Sequence, residues 1–302
     1  MIAMAIHGGA WDIPDDLVPA HKTGLQKALK AGWEVLGEGG SAVDAVERAI
    51  SLMEDDETFN AGRGACLNSA GEVELDAGIM EGKGLAAGAV AAVHSVPNPI
   101  SLARRIMESG DEVMLVGMGA LRFARDHKMK TCDPDDLITA VEIERWRRAQ
   151  ESPKAGTKKK VRGRTVAADT VGAVALDETG NIAAGTSTGG PPDKSPGRVG
   201  DASLIGCGTY ADAAVGGVSA SGTGESIIRV VLARSVIGFL ERNGGNSEEA
   251  AKDGISLLER KVHGAGGLIV LSRGGVPGVA YNTRRMARAV MTSTMKVPLV
   301  AV

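Results

Sequence analysis

Large aromatic residues are nearly missing from this sequence: three Phe, two Tyr and three Trp in 302 positions. A core without rings must be assembled from Ala, Val, Leu and Ile, which favours closely packed layers. Cysteine is also scarce. Cys66, Cys132 and Cys207 lie far apart and form no CxxC, which argues against a disulfide framework and a zinc site. The odd count fits a reducing compartment, and a cytoplasmic location is expected. The five histidines (His7, His21, His94, His127, His263) are scattered, with no HExxH among them, so metal catalysis is disfavoured. No run of about 18 apolar residues exists, so no membrane helix is expected. The N-terminus has no basic region leading into an apolar run, so no signal peptide is expected. A net charge of −3 gives no general basis for binding nucleic acid.

Glycine is what the chain has in excess. Its 42 residues are about twice the usual ~7% share. They follow no G-X-Y period, so collagen is excluded. Tight turns and close backbone approaches are the remaining reasons for so many.

Hydropathy patterning gives the order of elements. Residues 2–6 read as a short buried strand stopped at His7-Gly8-Gly9. A histidine at such a strand end is more often structural than catalytic. Leu25, Leu29, Val35 and Leu36 mark a helix over 21–37. Ser41 and Asp44 form a capping-box pair for a second helix. Strands are expected at 72–80 and 86–94, a short helix at 100–108, a buried segment at 112–116, and helices at 117–127 and 134–150. Asp133-Pro134 supplies the cap of the last helix. Residues 151–165 contain six basic side chains and read as a solvated linker. A hairpin follows, with strands 170–177 and 182–188. Beyond it come strand-like segments near 203–208 and 215–221, helices at 225–243 and 246–261, and a last hairpin from Leu268 to Tyr281. Helices cluster between groups of strands. This order points to an α+β protein with sheets packed on each other and helices outside.

Three motifs compete for the chemistry. Gly185-Thr186-Ser187-Thr188-Gly189 matches a nucleophile elbow, but that elbow must turn directly into a helix. Here Gly190-Pro191-Pro192 follows. Val113–Gly119 and Leu204–Ala211 each resemble a dinucleotide fingerprint, yet neither has the full glycine set leading into a helix, and both read as turns at strand ends. Asp193-Lys194-Ser195 lacks the glycine a phosphate loop places before its lysine. What remains is Thr170, the first residue of a strand preceded by the basic segment. A threonine hydroxyl needs a base. A threonine at a new N-terminus carries one, because an α-amine has a pKa of about 7.7–8.0. Taken alone, a threonine heading a strand is ordinary.

Several further stretches lie in a common order. They are His7-Gly8-Gly9-Ala10, Phe59–Gly62, Glu74–Met80, Asp169–Asp177, Thr186–Gly190, Gly197–Asp201 and Gly222–Glu225. Together they make the chain resemble the plant-type L-asparaginase/isoaspartyl aminopeptidase family of N-terminal nucleophile hydrolases, over nearly its whole length. The resemblance implies a four-layer αββα sandwich. It implies one domain, 1–302, made as a precursor and cut between Asp169 and Thr170 into an α part (1–169) and a β part (170–302), with two αβ units assembling together. It makes Thr170 the nucleophile and Thr188 its orienting partner. Arg198 would take the substrate α-carboxylate, with Asp201 and the Gly224 carbonyl taking the α-ammonium. Ser221 and Gly222 would form the oxyanion hole, and Asn60 would lie near the Thr170 amine. No cofactor or catalytic metal is implied. The 53–63 loop resembles the family's sodium loop, whose ligands would be the carbonyls of Met53, Glu54, Asp56, Phe59, Ala61 and Arg63. Small-molecule substrates are expected, L-asparagine and β-aspartyl dipeptides.

Two residues depart from the family pattern. Ser221 stands where many relatives have threonine, and Asp169 where close relatives usually have glycine. An Asp before the Thr is similar to the glycosylasparaginase branch, whose substrate is N-acetylglucosaminyl-asparagine, so that activity is the alternative. A nucleotide-binding module using a Gly-rich turn is the non-enzymatic alternative.

Overall fold

A computed structural model describes residues 1–151 and 169–302. The segment expected as a basic linker, 151–165, lies outside the described residues except for Glu151. In chain order the elements are β1 (Ala3–Trp11), α1 (Val18–Gly37), α2 (Ala42–Glu54), β2 (Leu75–Glu81), β3 (Ala87–Val93), α3 (Pro99–Ser109), β4 (Met114–Val116), α4 (Gly117–Asp126) and α5 (Ala140–Glu151). After the undescribed segment come β5 (Val171–Leu176), β6 (Ile182–Thr188), β7 (Thr209–Asp212), β8 (Gly216–Gly222), α6 (Gly224–Val230), α7 (Leu232–Arg242), α8 (Ser247–Val262), β9 (Gly266–Ser272), β10 (Pro277–Tyr281), β11 (Arg285–Thr292) and β12 (Leu299–Ala301).

Two sheets form. The larger has the order β12-β11-β1-β5-β6-β2-β3-β4 and the smaller β10-β9-β8-β7. Every neighbouring pair is antiparallel except β3 with β4. The period-two alternation of a strand assigns its side chains to opposite faces. On β5, Val171, Ala173 and Ala175 join the cluster beneath α1, α2 and α3, while Val174 and Leu176 turn to the other sheet. Ile269 and Leu271 of β9 meet them there. Val218, Leu268 and Val270 face away, onto α7 and α8. Three apolar layers therefore separate four layers of structure, the αββα sandwich that was expected.

The scarcity of rings is felt between the sheets. A Cβ on Gly217 would lie 2.6 Å from Val174 Cγ1 and 2.8 Å from Ile182 Cγ2, so β8 approaches β5 and β6 closely there. Small side chains make that spacing possible and dispersion contacts make it favourable.

Local signals set several helix starts. Asp44 N donates to Ser41 Oγ at 3.1 Å, and Ser41 N to Asp44 Oδ2 at 3.1 Å. Asn246 Oδ1 accepts from Glu249 N to cap α8. Asp133 does cap at Pro134, but it opens only a short 3-10 turn, Pro134–Leu137, before α5. Other expectations fail for tertiary reasons. β1 does not stop at His7; it runs through Gly8 and Gly9 to Trp11 with a bulge. Those glycines serve close approach. Gly8 lies under the Phe59 ring and Gly9, at φ +99°, under the Asp169 carboxyl. Residues 203–208 form turns, and the strand begins at Thr209. The helix expected over 225–243 breaks at Val231, which has φ +48°. The break lets Ala233 N and Arg234 N donate to the carbonyls of Cys207 and Gly206. β11 was missed altogether; its arginines hide a strand that pairs with β1.

Substituting Gly217→Ala should destabilise the protein by about 1–3 kcal/mol through overpacking between the sheets. The midpoint of urea unfolding checks this, and an unchanged midpoint would contradict the close approach described.

Candidate active site

β5 and β6 run antiparallel through the middle of the large sheet, with Val171 opposite Ser187. Their pairing brings the first threonine of one hairpin strand beside the last threonine of the other. Thr170 Oγ1 donates to Thr188 Oγ1 at 3.3 Å. Both side chains are buried. Thr188 Oγ1 also accepts from Gly190 N at 3.0 Å and donates its own proton to the Asp169 carbonyl at 3.0 Å. Asn60 Nδ2 donates to the same carbonyl at 3.2 Å and to Gly190 O at 2.7 Å. Its Oδ1 accepts from Cys66 N, which fixes which way the amide faces. The carbonyl immediately before Thr170 is therefore held by two donors, and the Thr170 hydroxyl sits beside one of them. Two convergent donors on a carbonyl are the elements of an oxyanion hole.

Behind this peptide stands His7, buried between the sheets. Its Nδ1 bonds the Thr170 carbonyl at 3.0 Å and its Nε2 bonds Ser219 Oγ at 2.8 Å. Burial lowers its pKa from 6.5 to about 4. A neutral ring has one N–H. A carbonyl can only accept, so Nδ1 carries that proton and Nε2 accepts from the Ser219 hydroxyl. Thr186 Oγ1 in turn lies 2.8 Å from Ser219 Oγ. Both ring nitrogens of His7 are thus engaged by protein groups.

Asp169 is one of the two residues that depart from the family pattern, and it has a made place. Its Oδ2 lies 3.4 Å from Nε2 of the buried His21 on α1. Burial pushes the Asp169 carboxyl above its ordinary pKa, against the opposing pull of His21. Burial works against a charged His21, but Asp169, the Leu17 carbonyl and Asp56 together outweigh it and raise its pKa. Sequence reading gave His21 no role, because nothing within α1 distinguishes it from a core histidine.

Arg198 and Asp201 lie on the loop between β6 and β7. A Cβ placed on Gly224 would be 2.6 Å from Arg198 Nη2 and 3.0 Å from Asp201 Oδ1, so all three meet. Gly190 bridges this group to the threonines: a Cβ there would be 3.3 Å from Arg198 Nη1, while its N–H bonds Thr188. The guanidinium reaches Glu225 Oε1 through Nε at 3.0 Å and Nη2 at 2.9 Å. Its fork is thus presented to a carboxylate oxygen, the group it is shaped to hold. Asp201 is buried, which raises its pKa to about 7 despite nearby Arg198.

Ser221 lies on the same face of β8 as Ser219, two residues along, and its Oγ accepts from Ala10 N at 3.0 Å. Gly222 follows at the strand end with φ +148°, where a Cβ would lie 2.4 Å from the Ala265 carbonyl. The elbow reading of Ser187 fails. β6 enters a loop rather than a helix, and Ser187 Oγ points away to donate to Glu54 Oε1 at 2.7 Å. Of the two fingerprint-like turns, the first does join β4 to α4 directly, and the second leads into β7. Glu225, which sequence reading used only as the end of a motif, turns out to pair with Arg198.

The isoaspartyl peptidase/L-asparaginase of Xenopus laevis is 40% identical over 289 residues, covering 95% of this chain and 91% of that protein. The protein of the same name from Bos taurus is 43% identical over 287 residues, covering 94% and 91%. That from Homo sapiens is 45% identical over 273 residues, covering 90% and 87%. A family described as Asparaginase matches residues 1–299, and the chain belongs to that family.

Proposed function

We propose that this protein is a self-processed amidohydrolase that converts L-asparagine to L-aspartate and ammonia and cleaves β-aspartyl dipeptides, with Thr170 as nucleophile. The observation that carries this reading is the Asp169 carbonyl, held by Asn60 Nδ2 and Thr188 Oγ1 with the Thr170 hydroxyl beside them. Self-cleavage follows from it. Thr170 Oγ attacks the Asp169 carbonyl carbon, and the negative charge that develops on its oxygen falls on the two donors. The C–N bond breaks, the amine takes a proton, and Asp169 is left as an ester on Thr170. Water hydrolyses the ester, giving a carboxylate at Asp169 and an N-terminal Thr170 with a free hydroxyl and amine.

The matured threonine then has its base on its own backbone. The substrate α-carboxylate lies on Arg198, and the α-ammonium on Asp201 with the Gly224 carbonyl. Thr170 Oγ attacks the side-chain carbonyl while the amine accepts its proton. Ser221 Oγ and Gly222 N–H stabilise the oxyanion, and ammonia or an amino acid leaves. Water releases aspartate. Both substrates share the free α-amino and α-carboxylate groups, so one pair of contacts serves them.

The 53–63 loop fits a sodium ion by the chemistry of its donors. It folds on itself through Arg63 N to Glu54 O at 2.8 Å and Ala61 N to Phe59 O at 3.0 Å. Carbonyl oxygens of this kind suit a hard cation. The carbonyls of Met53, Glu54, Asp56, Phe59, Ala61 and Arg63 would hold it, and its part would be to stiffen the loop that carries Asn60. Exchanging sodium for tetramethylammonium should lower the melting temperature, and equal temperatures in the two salts would remove the ion from the account.

Thr170→Ala should leave a single 30.9 kDa chain on a denaturing gel, with no hydrolysis of L-asparagine or a β-aspartyl dipeptide. Processing by that variant would overturn the nucleophile assignment. Asn60→Ala removes one of the two donors on the Asp169 carbonyl and should slow self-cleavage by about 10²–10³-fold.

The pH profile follows from two groups. Asp201 must be ionised to hold an ammonium, and burial raises its pKa to about 7. The Thr170 amine must be neutral and titrates at about 7.7–8.0. Below about pH 7, log kcat/KM should therefore fall with a slope approaching two. Log kcat should fall with a slope near one, because bound ammonium keeps Asp201 ionised. Asp201→Asn should weaken binding and abolish the steeper limb. Equal slopes for both parameters in the unmodified enzyme would contradict the role given to Asp201.

A further inference from the structure

Arg198 lies outside any helix or strand, yet a bidentate hydrogen bond to a carboxylate needs the guanidinium placed within a few tenths of an ångström. The structure fixes it from beneath, with charged side chains that the mechanism above does not use. Glu74, just before β2, turns both carboxylate oxygens to Gly197 N, at 2.9 and 3.1 Å. Asp76 on β2 accepts from Gly200 N through Oδ2 at 2.8 Å and from Ala92 N of β3 through Oδ1 at 2.9 Å. Glu74 and Asp76 are both buried. The buried Lys194 donates to the Glu74 carbonyl at 2.8 Å; burial lowers its pKa, and the field of both carboxylates opposes that shift. Gly197 and Gly200 flank Arg198 on either side. Asp76 is moreover the register partner of Thr188 across the sheet. One residue, Asp76, thus both lies opposite the nucleophile's partner in the sheet and grips the arginine loop through its carboxylate.

We propose that Asp76 and Glu74 are positioning residues for the substrate site. They hold the N–H groups of Gly200 and Gly197 and so set the Arg198 guanidinium at a fixed distance from Thr170. Buried carboxylates are costly unless fully bonded. Glu74 turns both oxygens to the arginine loop, with His94 Nε2 3.9 Å from Oε1, and Asp76 divides its bonds between that loop and Ala92 N. Charge-assisted bonds to backbone N–H groups are also among the stronger ones available to fix a loop. The inference rests on the reading of Arg198 as the group that binds the substrate carboxylate.

The test uses near-isosteric variants of the full chain, with self-cleavage as an internal measure of folding. Asp76→Asn keeps the size but turns an amide N–H toward one of the two donors. It should raise KM for L-asparagine about tenfold, with kcat changed by less than about threefold and self-cleavage at the unmodified rate. Glu74→Ala should raise KM by a similar factor. Glu74→Gln, which still offers Gly197 an oxygen, should restore it to within about threefold. Arg198→Ala is measured alongside. If that variant leaves KM unchanged, the role of Arg198 is wrong and the clamp falls with it. If it raises KM while Asp76→Asn and Glu74→Ala do not, the clamp alone is overturned. A Glu74→Gln variant as impaired as Glu74→Ala, or Asp76→Asn chains that fail to cut themselves, would assign the carboxylates to general integrity and also overturn it.

Discussion

Thr170 is buried at the head of a strand between two sheets, and its polar groups must be bonded there without water. Leaving a buried donor or acceptor unmade costs more than a bond made returns. The protein answers with partners drawn from several distant segments. His7 of β1 bonds the Thr170 carbonyl, Thr188 of β6 accepts its hydroxyl proton, and Asn60 and Thr188 share the carbonyl before it. In the reading proposed above, the donors that satisfy this buried carbonyl are also those that would stabilise its oxyanion.

The same economy extends outward. His7 remains neutral because it is buried, which fixes its tautomer and passes the bonding to Ser219 and Thr186. Burial likewise raises the Asp201 carboxyl, despite nearby Arg198. Glu74 and Asp76 meet the cost of burial by gripping backbone N–H groups on both sides of Arg198. The scarcity of rings bears on all of it. A core of Ala, Val and Gly lets the sheets come close enough for side chains of one to bond those of the other.

Much of this was legible in the chain. The capping pair at Ser41–Asp44, the 170–188 hairpin and the order of strand and helix groups all follow from contacts within a few residues. The motifs that carry the family resemblance also name most of the residues found together at the site. What failed had tertiary causes. Gly8 and Gly9 read as a stop because glycine most often marks a turn, but here they make room for Phe59 and Asp169. Val231 adopts a left-handed conformation that no local signal requests, because α7 gains the carbonyls of Gly206 and Cys207. β11 went unread because its alternation is broken by arginines, one of which, Arg288, sits over the Tyr281 ring.

Sequence alone determined which residues could act: a threonine at a strand head, an arginine and an aspartate in one loop, small residues throughout the core. Those are properties of local spacing and side-chain chemistry. Only the tertiary structure decided how they are held. The pairing of His21 with Asp169 spans 148 residues and the grip of Asp76 on Gly200 spans 124. Contacts at such separations leave no periodicity in the chain, because they arise when strands far apart in sequence become neighbours in a sheet.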